Sequence, residues 1–158
     1  MRNLRFSLLI LGLAFIQVGI SEPLRLFGVK PDLLLISVVV AGIYFEFGWA
    51  LFFSLFAGIL KDVFTAGSFG MSSLFFPVVA FLIIQLNKRL TIENNTSCSV
   101  VVFLSSIVYD GLVRLLSVYM NDLVSYPVFF RVSILGALYT SIVMFVLLRP
   151  IKKIIRRL

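Results

Sequence analysis

Charged residues are sparse along this chain, and between them lie six apolar stretches at residues 6–20, 33–45, 47–60, 70–86, 99–119 and 132–148. A transmembrane helix takes about 20 mostly apolar residues to cross a hydrocarbon core of about 30 Å. The second and third stretches are short, thirteen and fourteen residues on either side of a single charge, Glu46. They form either one long bent helix or a hairpin that turns at Glu46.

The basic residues choose between the two. Arg2 and Arg5 open the chain, Lys88 and Arg89 follow the fourth stretch, and Arg149, Lys152, Lys153, Arg156 and Arg157 close it. Cytoplasmic flanks of membrane helices collect Lys and Arg. Six spans place all three groups on the cytoplasmic side, whereas five would put the last two outside. Gly42 and Gly48, on either side of Glu46, also suit a tight turn. The pattern predicts an all-α integral membrane bundle of six transmembrane helices, the second and third forming a hairpin, with both termini cytoplasmic. Residues 1–21 also have the basic start, apolar middle and small residues (Gly19, Ser21) of a cleaved signal. Cleavage would leave five spans with every later orientation unchanged. Retention is expected, because a polytopic chain needs no cleaved signal to begin insertion. The longest loops are 20–32 and 88–97, and no linker, repeat or low-complexity tract divides the chain. One polytopic domain over residues 1–158 is expected, ending in a basic cytoplasmic tail at 149–158.

Composition names the solvent. Hydrophobic residues make up 61% of the 158 positions and charged ones 13%, against about 45–50% and 25% in soluble domains. A water-soluble globule of this size cannot hide so much apolar surface, so lipid must cover it. There is no histidine and a single cysteine, Cys98. Histidine-based catalysis, His or Cys metal clusters and an intrachain disulfide are thereby excluded. Ser72-Ser73, after Gly70, reads as a polar pair in a loop with no base beside it. The expected class is non-enzymatic, with no cofactor and no metal. The net charge of +7 reports topology rather than nucleic-acid binding, since no basic stripe carries interleaved aromatics.

Three constellations stand out. Asp32 lies 14 residues before Glu46, and Lys61 and Asp62 lie 15 and 16 after it. A hairpin at Glu46 therefore returns them to one outer level, beside Arg25 and Lys30 in the adjoining loop. Asp32 with Lys61, or Lys30 with Asp62, can pair there. Such a pair is either an interfacial salt bridge, contributing about 0–1 kcal/mol where exposed, or a contact for a partner or ligand. The third stretch also carries Ala50, Ser54, Gly58 and Asp62 at four-residue spacing, a ladder of small residues that lets another helix approach closely. It serves helix packing or partner docking, and Ser133, Ala137 and Ser141 repeat the device in the sixth stretch.

In the fifth stretch Asp110 lies near mid-span with Arg114 one turn further out, close enough on a helix to neutralise each other. Ser99, Ser106 and Ser117 share their stripe. Ionisable groups at this depth normally face a bundle interior, so the pair is either a structural one or the wall of a polar cavity, ion path or partner contact. The tail residues Lys152, Lys153, Arg156 and Arg157 serve as a topology determinant or as a surface for anionic lipid, at about 1 kcal/mol each.

In order along the chain come Pro31-Asp32, the leucines at 33–35, Gly42 and Gly48, Gly58 with Asp62 four residues on, and then Gly67 and Gly70. This succession, with the length and the basic tail, resembles the bacterial rod shape-determining protein family MreD over nearly the whole chain. Lys61 departs from it, standing where many relatives carry a neutral residue such as Gln.

The resemblance implies a non-enzymatic inner-membrane component of the cell-elongation complex that organises peptidoglycan synthesis. Its implied companions are a single-span MreC-like protein, a RodA-type glycosyltransferase, a class B penicillin-binding transpeptidase and an MreB-type actin. The bundle of that family is similar to the substrate-binding S component of energy-coupling-factor vitamin transporters, which supplies the alternative reading. Against it, the first span lacks the Ala-x-x-x-Ala of S components, and the only tryptophan, Trp49, falls near the inner turn. An ion-coupled transporter built on Asp110 and Arg114 is a third reading, with no second mid-membrane carboxylate to continue a proton path.

Overall fold

The structure, a computed structural model, describes residues 2–19, 29–64, 70–89, 94–119 and 126–156. Among these, six helices form: α1 (Arg2–Gly19), α2 (Leu33–Tyr44), α3 (Phe47–Phe64), α4 (Met71–Arg89), α5 (Asn95–Tyr119) and α6 (Tyr126–Arg156). Helices α3 to α6 each hold a window long and apolar enough to cross a membrane. Their outward side chains are apolar too, with Phe52, Val78, Leu104 and Ile142 all exposed. Such a surface suits hydrocarbon and not water, and the chain is an all-α, multi-pass membrane protein.

The hairpin turns at Phe45 and Glu46. Phe45 is extended (φ −115°, ψ 157°) and its N–H still donates to the Ala41 carbonyl at 3.0 Å, while the Glu46 carbonyl accepts the first bond of α3 from Ala50 at 2.8 Å. The two glycines expected to make this turn do not take part. Gly42 lies inside α2, where a Cβ would come 2.9 Å from Ile83 Cγ2 of α4, and Gly48 lies inside α3 with open space around it. Gly42 thus serves helix approach. Among the described glycines a positive φ occurs at Gly70 (+88°), one residue before α4.

The α2 helix occupies the centre. Its 12 residues span about 18 Å at 1.5 Å each, too short to cross a bilayer alone. Every residue from Leu33 to Gly42 is buried, and the helix touches all the others. A helix end in an apolar interior must find partners for its free N–H and C=O groups. Leu35 N–H donates to Asp32 Oδ1 at 3.0 Å, which makes Asp32 the N-cap. Leu34 N–H donates to Gln17 Oε1 of α1 at 3.1 Å. At the other end Asn87 Nδ2 of α4 donates to the Ile43 carbonyl at 3.1 Å. Neighbouring helices therefore close both ends of α2.

Around it stand two close pairs, α3 with α4 and α5 with α6. Ala50, Ser54, Ala57, Gly58 and Asp62 are buried on one face of α3. At Gly58 a Cβ would sit 2.6 Å from both the Ser72 carbonyl oxygen and Ser73 Cα, so only glycine admits the first turn of α4. Between α5 and α6, Ser141 Oγ donates to the Ser99 carbonyl at 2.9 Å, and Ala137 and Thr140 are buried. Helix α6 continues through Pro150 to Arg156, so the residues expected as a separate tail extend the last span. Lys152, Lys153 and Arg156 lie on its final turns with side chains outside the described set, and Arg157 lies outside the described residues.

Candidate functional site

Asp32, Lys61 and Asp62 collect at one end of the bundle, where α2 and α4 begin and α3 finishes. Of the two pairings expected there, the structure forms Asp32 with Lys61: the ammonium bonds Asp32 Oδ2 across the hairpin. The pair is not at the open surface. The two side chains are 15% and 18% exposed, and the Lys61 ammonium lies 4.1 Å from the ring centroid of Tyr109 and 5.0 Å from that of Phe76. A cation set over aromatic faces away from water is attracted by the ring quadrupoles. Asp32 is anchored a third way, its own N–H donating to Thr140 Oγ1 of α6 at 3.1 Å. One residue thus caps α2, pairs with α3 and binds α6.

Asp62 points the other way, into the start of α4. Its Oδ1 accepts from Ser72 N–H at 2.9 Å and its Oδ2 from Ser73 N–H at 2.8 Å. A carboxylate at a helix N-terminus meets unpaired N–H groups and the positive end of the helix dipole. Asp62 is therefore a cap supplied from the preceding helix, and Gly58 one turn earlier gives the room it needs. Ser72 and Ser73, read as a loop pair, form that first turn of α4. Ser72 Oγ also bonds Tyr109 OH at 2.9 Å. An unbroken polar chain follows, from Asp62 through Ser72 and Tyr109 to Lys61 and Asp32.

Asp110 and Arg114 take different neighbours. Asp110 Oδ2 accepts from Ser133 Oγ of α6 at 2.6 Å, while the Arg114 guanidinium lies 5.4 Å from the centre of the Phe129 ring. The serine stripe on α5 also splits by role. Ser117 Oγ bonds back to the Val113 carbonyl at 3.0 Å, Ser99 meets α6, and Ser106 faces inward.

One cavity joins the two clusters that looked separate in sequence. About 330 Å³ in volume, it is walled by Asp32 and Lys61 on one side and by Ser106, Tyr109 and Asp110 on the other, with Gln17 and Thr140 among the further lining residues. Gln17 and Tyr109 had drawn no attention in the sequence. The available signals were a lone amide in the apolar first span and a tyrosine adjoining the deepest carboxylate. Among the described residues no three His, Cys, Asp or Glu side chains converge to hold a metal ion.

Nothing matches the chain among curated proteins or among solved structures. The family profile described as rod shape-determining protein MreD matches residues 1–157. Its span includes both halves of the polar chain, the Gly58–Asp62 cap and the hairpin at Glu46. On that match the chain belongs to the MreD family of rod shape-determining proteins.

Proposed function

We propose that the chain is a non-enzymatic scaffold of the bacterial inner membrane, one that helps set cell shape by organising peptidoglycan synthesis with an MreC-like single-span protein. The match to the MreD family over residues 1–157 carries this reading. RodA-type glycosyltransferase, class B penicillin-binding transpeptidase and MreB-type actin are the further members of the same complex. Both termini lie in the cytoplasm, so the polar cavity faces the periplasm, and the basic residues Lys152, Lys153, Arg156 and Arg157 meet anionic lipid. Ala50, Ser54, Gly58, Asp62 and Asp32 act by locking α2, α3 and α4 together. The rim offered to a partner then keeps one shape.

Co-expression with an MreC-like protein tests the proposal: the two should leave the membrane together through purification in mild detergent. Absence of the complex, together with tight binding of a vitamin by the isolated chain, would overturn it in favour of a transporter S component. Orientation has its own measurement. Val63 is 65% exposed at the charged end, so Val63→Cys in a Cys98→Ser background should react with an impermeant thiol reagent added to the periplasmic side. Reaction only from the cytoplasm would invert the topology.

A further inference from the structure

The cavity holds two carboxylates, Asp32 and Asp110, and one deeply placed ammonium, that of Lys61. Lys61 acts electrostatically on Asp110 as well as on Asp32, but its ammonium is bonded to Asp32 and covered by two aromatic rings. Lys30, the other basic residue on the wall, is half-buried and has a partner of its own. Asp110 receives one hydrogen bond, at Oδ2 from Ser133. Its Oδ1 accepts none from the described residues. One helical turn earlier on the same face, Ser106 is only 4% exposed, yet its Oγ has no hydrogen-bond partner among the described residues. A buried polar atom without a partner costs about 1–3 kcal/mol. Ser106 Oγ is such an atom, and Ser106 lines the same cavity as Asp110, a space at the lower end of the sizes that small ligands occupy.

We propose that this cavity binds the primary ammonium group of a small amine between Asp110 and Ser106. An ammonium carries three donors and a positive charge. It therefore meets the open carboxylate oxygen and the hydroxyl together, beside a carboxylate that the Lys61 ammonium does not bond. A carboxylate or phosphate fits poorly, since Asp110 would repel it and Lys61 is already engaged. The ligand's depth is set by the helix ends: Asp32 caps α2 and Lys61 lies in the last turn of α3. Both a dissolved amine and the ethanolamine headgroup of a phospholipid reach that level, and the two share the chemistry recognised.

The test uses the full chain in nanodiscs of phosphatidylcholine, whose trimethylammonium has no N–H to donate. Ethanolamine titrated into these discs should raise the thermal unfolding temperature saturably, whereas ethylene glycol and acetate should not. If the source is lipid, exchange of the discs to phosphatidylethanolamine should give the stabilisation and make added ethanolamine redundant. In either arm Asp110→Asn, which retains an acceptor for Ser133, should weaken the response about tenfold or more, the loss of one charge-assisted bond. Ser106→Ala removes a hydroxyl that none of the described residues bonds, so it should fold normally and still lose affinity. A response to neither ethanolamine nor its phospholipid overturns the proposal, as does an equal response in wild type, Asp110→Asn and Ser106→Ala.

Discussion

The two ends of the bundle solve the same packing problem with opposite chemistry. At the hairpin end, Phe6, Phe45 and Phe53 meet with ring centroids 4.5–5.0 Å apart, and Trp49 stacks on Phe53 at 5.9 Å. Apart from the Asn87 bond to the Ile43 carbonyl, contact there is between rings, and the three phenylalanines are buried. At the charged end, by contrast, helices are fixed by named donors and acceptors: Asp62 on Ser72 and Ser73, Asp32 on Lys61 and on Thr140. Dispersion holds the first end and tolerates small shifts. Hydrogen bonds hold the second, so register there is specified residue by residue. A cavity lies at the specified end, where polar walls give water or a ligand something to bind.

Unequal responses to substitution sharpen this contrast. Phe53→Ala should show the largest effect, a loss of about 3–5 kcal/mol of stability typical of emptying an aromatic core site, read as unfolding in mixed micelles. Its cavity should remain apolar and dry, with the charged end undisturbed. Asp62→Ala comes next. It strips the acceptor from the Ser72 and Ser73 N–H groups, and should cost about 3 kcal/mol. Asp62→Asn, which keeps an acceptor oxygen for one of them, should recover part of it. Equal losses for the two Asp62 variants would mean that capping is not what Asp62 does. Gly58→Ala should cost about 1–3 kcal/mol, because the new methyl meets backbone and not a movable side chain. Gly48→Ala, in open space on the same helix, should be neutral or stabilising by up to about 1 kcal/mol. A Gly48 variant as damaging as the Gly58 variant would refute the account of the α3–α4 approach.

Much of this was legible in the order of residues. Runs of apolar positions suffice for six helices, and the 14-, 15- and 16-residue distances from Glu46 bring Asp32 level with Lys61 and Asp62. The spacing of Gly58 and Asp62 marks a place where a helix comes close. What stayed hidden follows from the solvent. In water the polar face of a helix points outward and declares which side is buried, but in lipid both faces are apolar and the pattern loses that information. Nothing in the run of residues 33–44 says that α2 sits at the centre. Gly42 and Gly48 looked alike for the same reason, although one meets Ile83 and the other meets nothing. The joining of Asp110 to Asp32 depends on where α5 lies against α2, a tertiary fact with no local signature. Lys61 and Asp62, adjacent in the chain, turn to separate helices, which shows how little neighbouring charges reveal of their partners.

The central place of α2 also sets an order of assembly. Its carbonyl end waits for Asn87, 44 residues on from Ile43, and the Asp32 N–H at its other end waits for Thr140, 108 residues further along. During synthesis the shortest helix must therefore shelter against its hairpin partner while most of the chain is still unmade. Its final bond closes only when the sixth span arrives. The bundle is completed around its central helix, and the sixth helix is the one that seals the second.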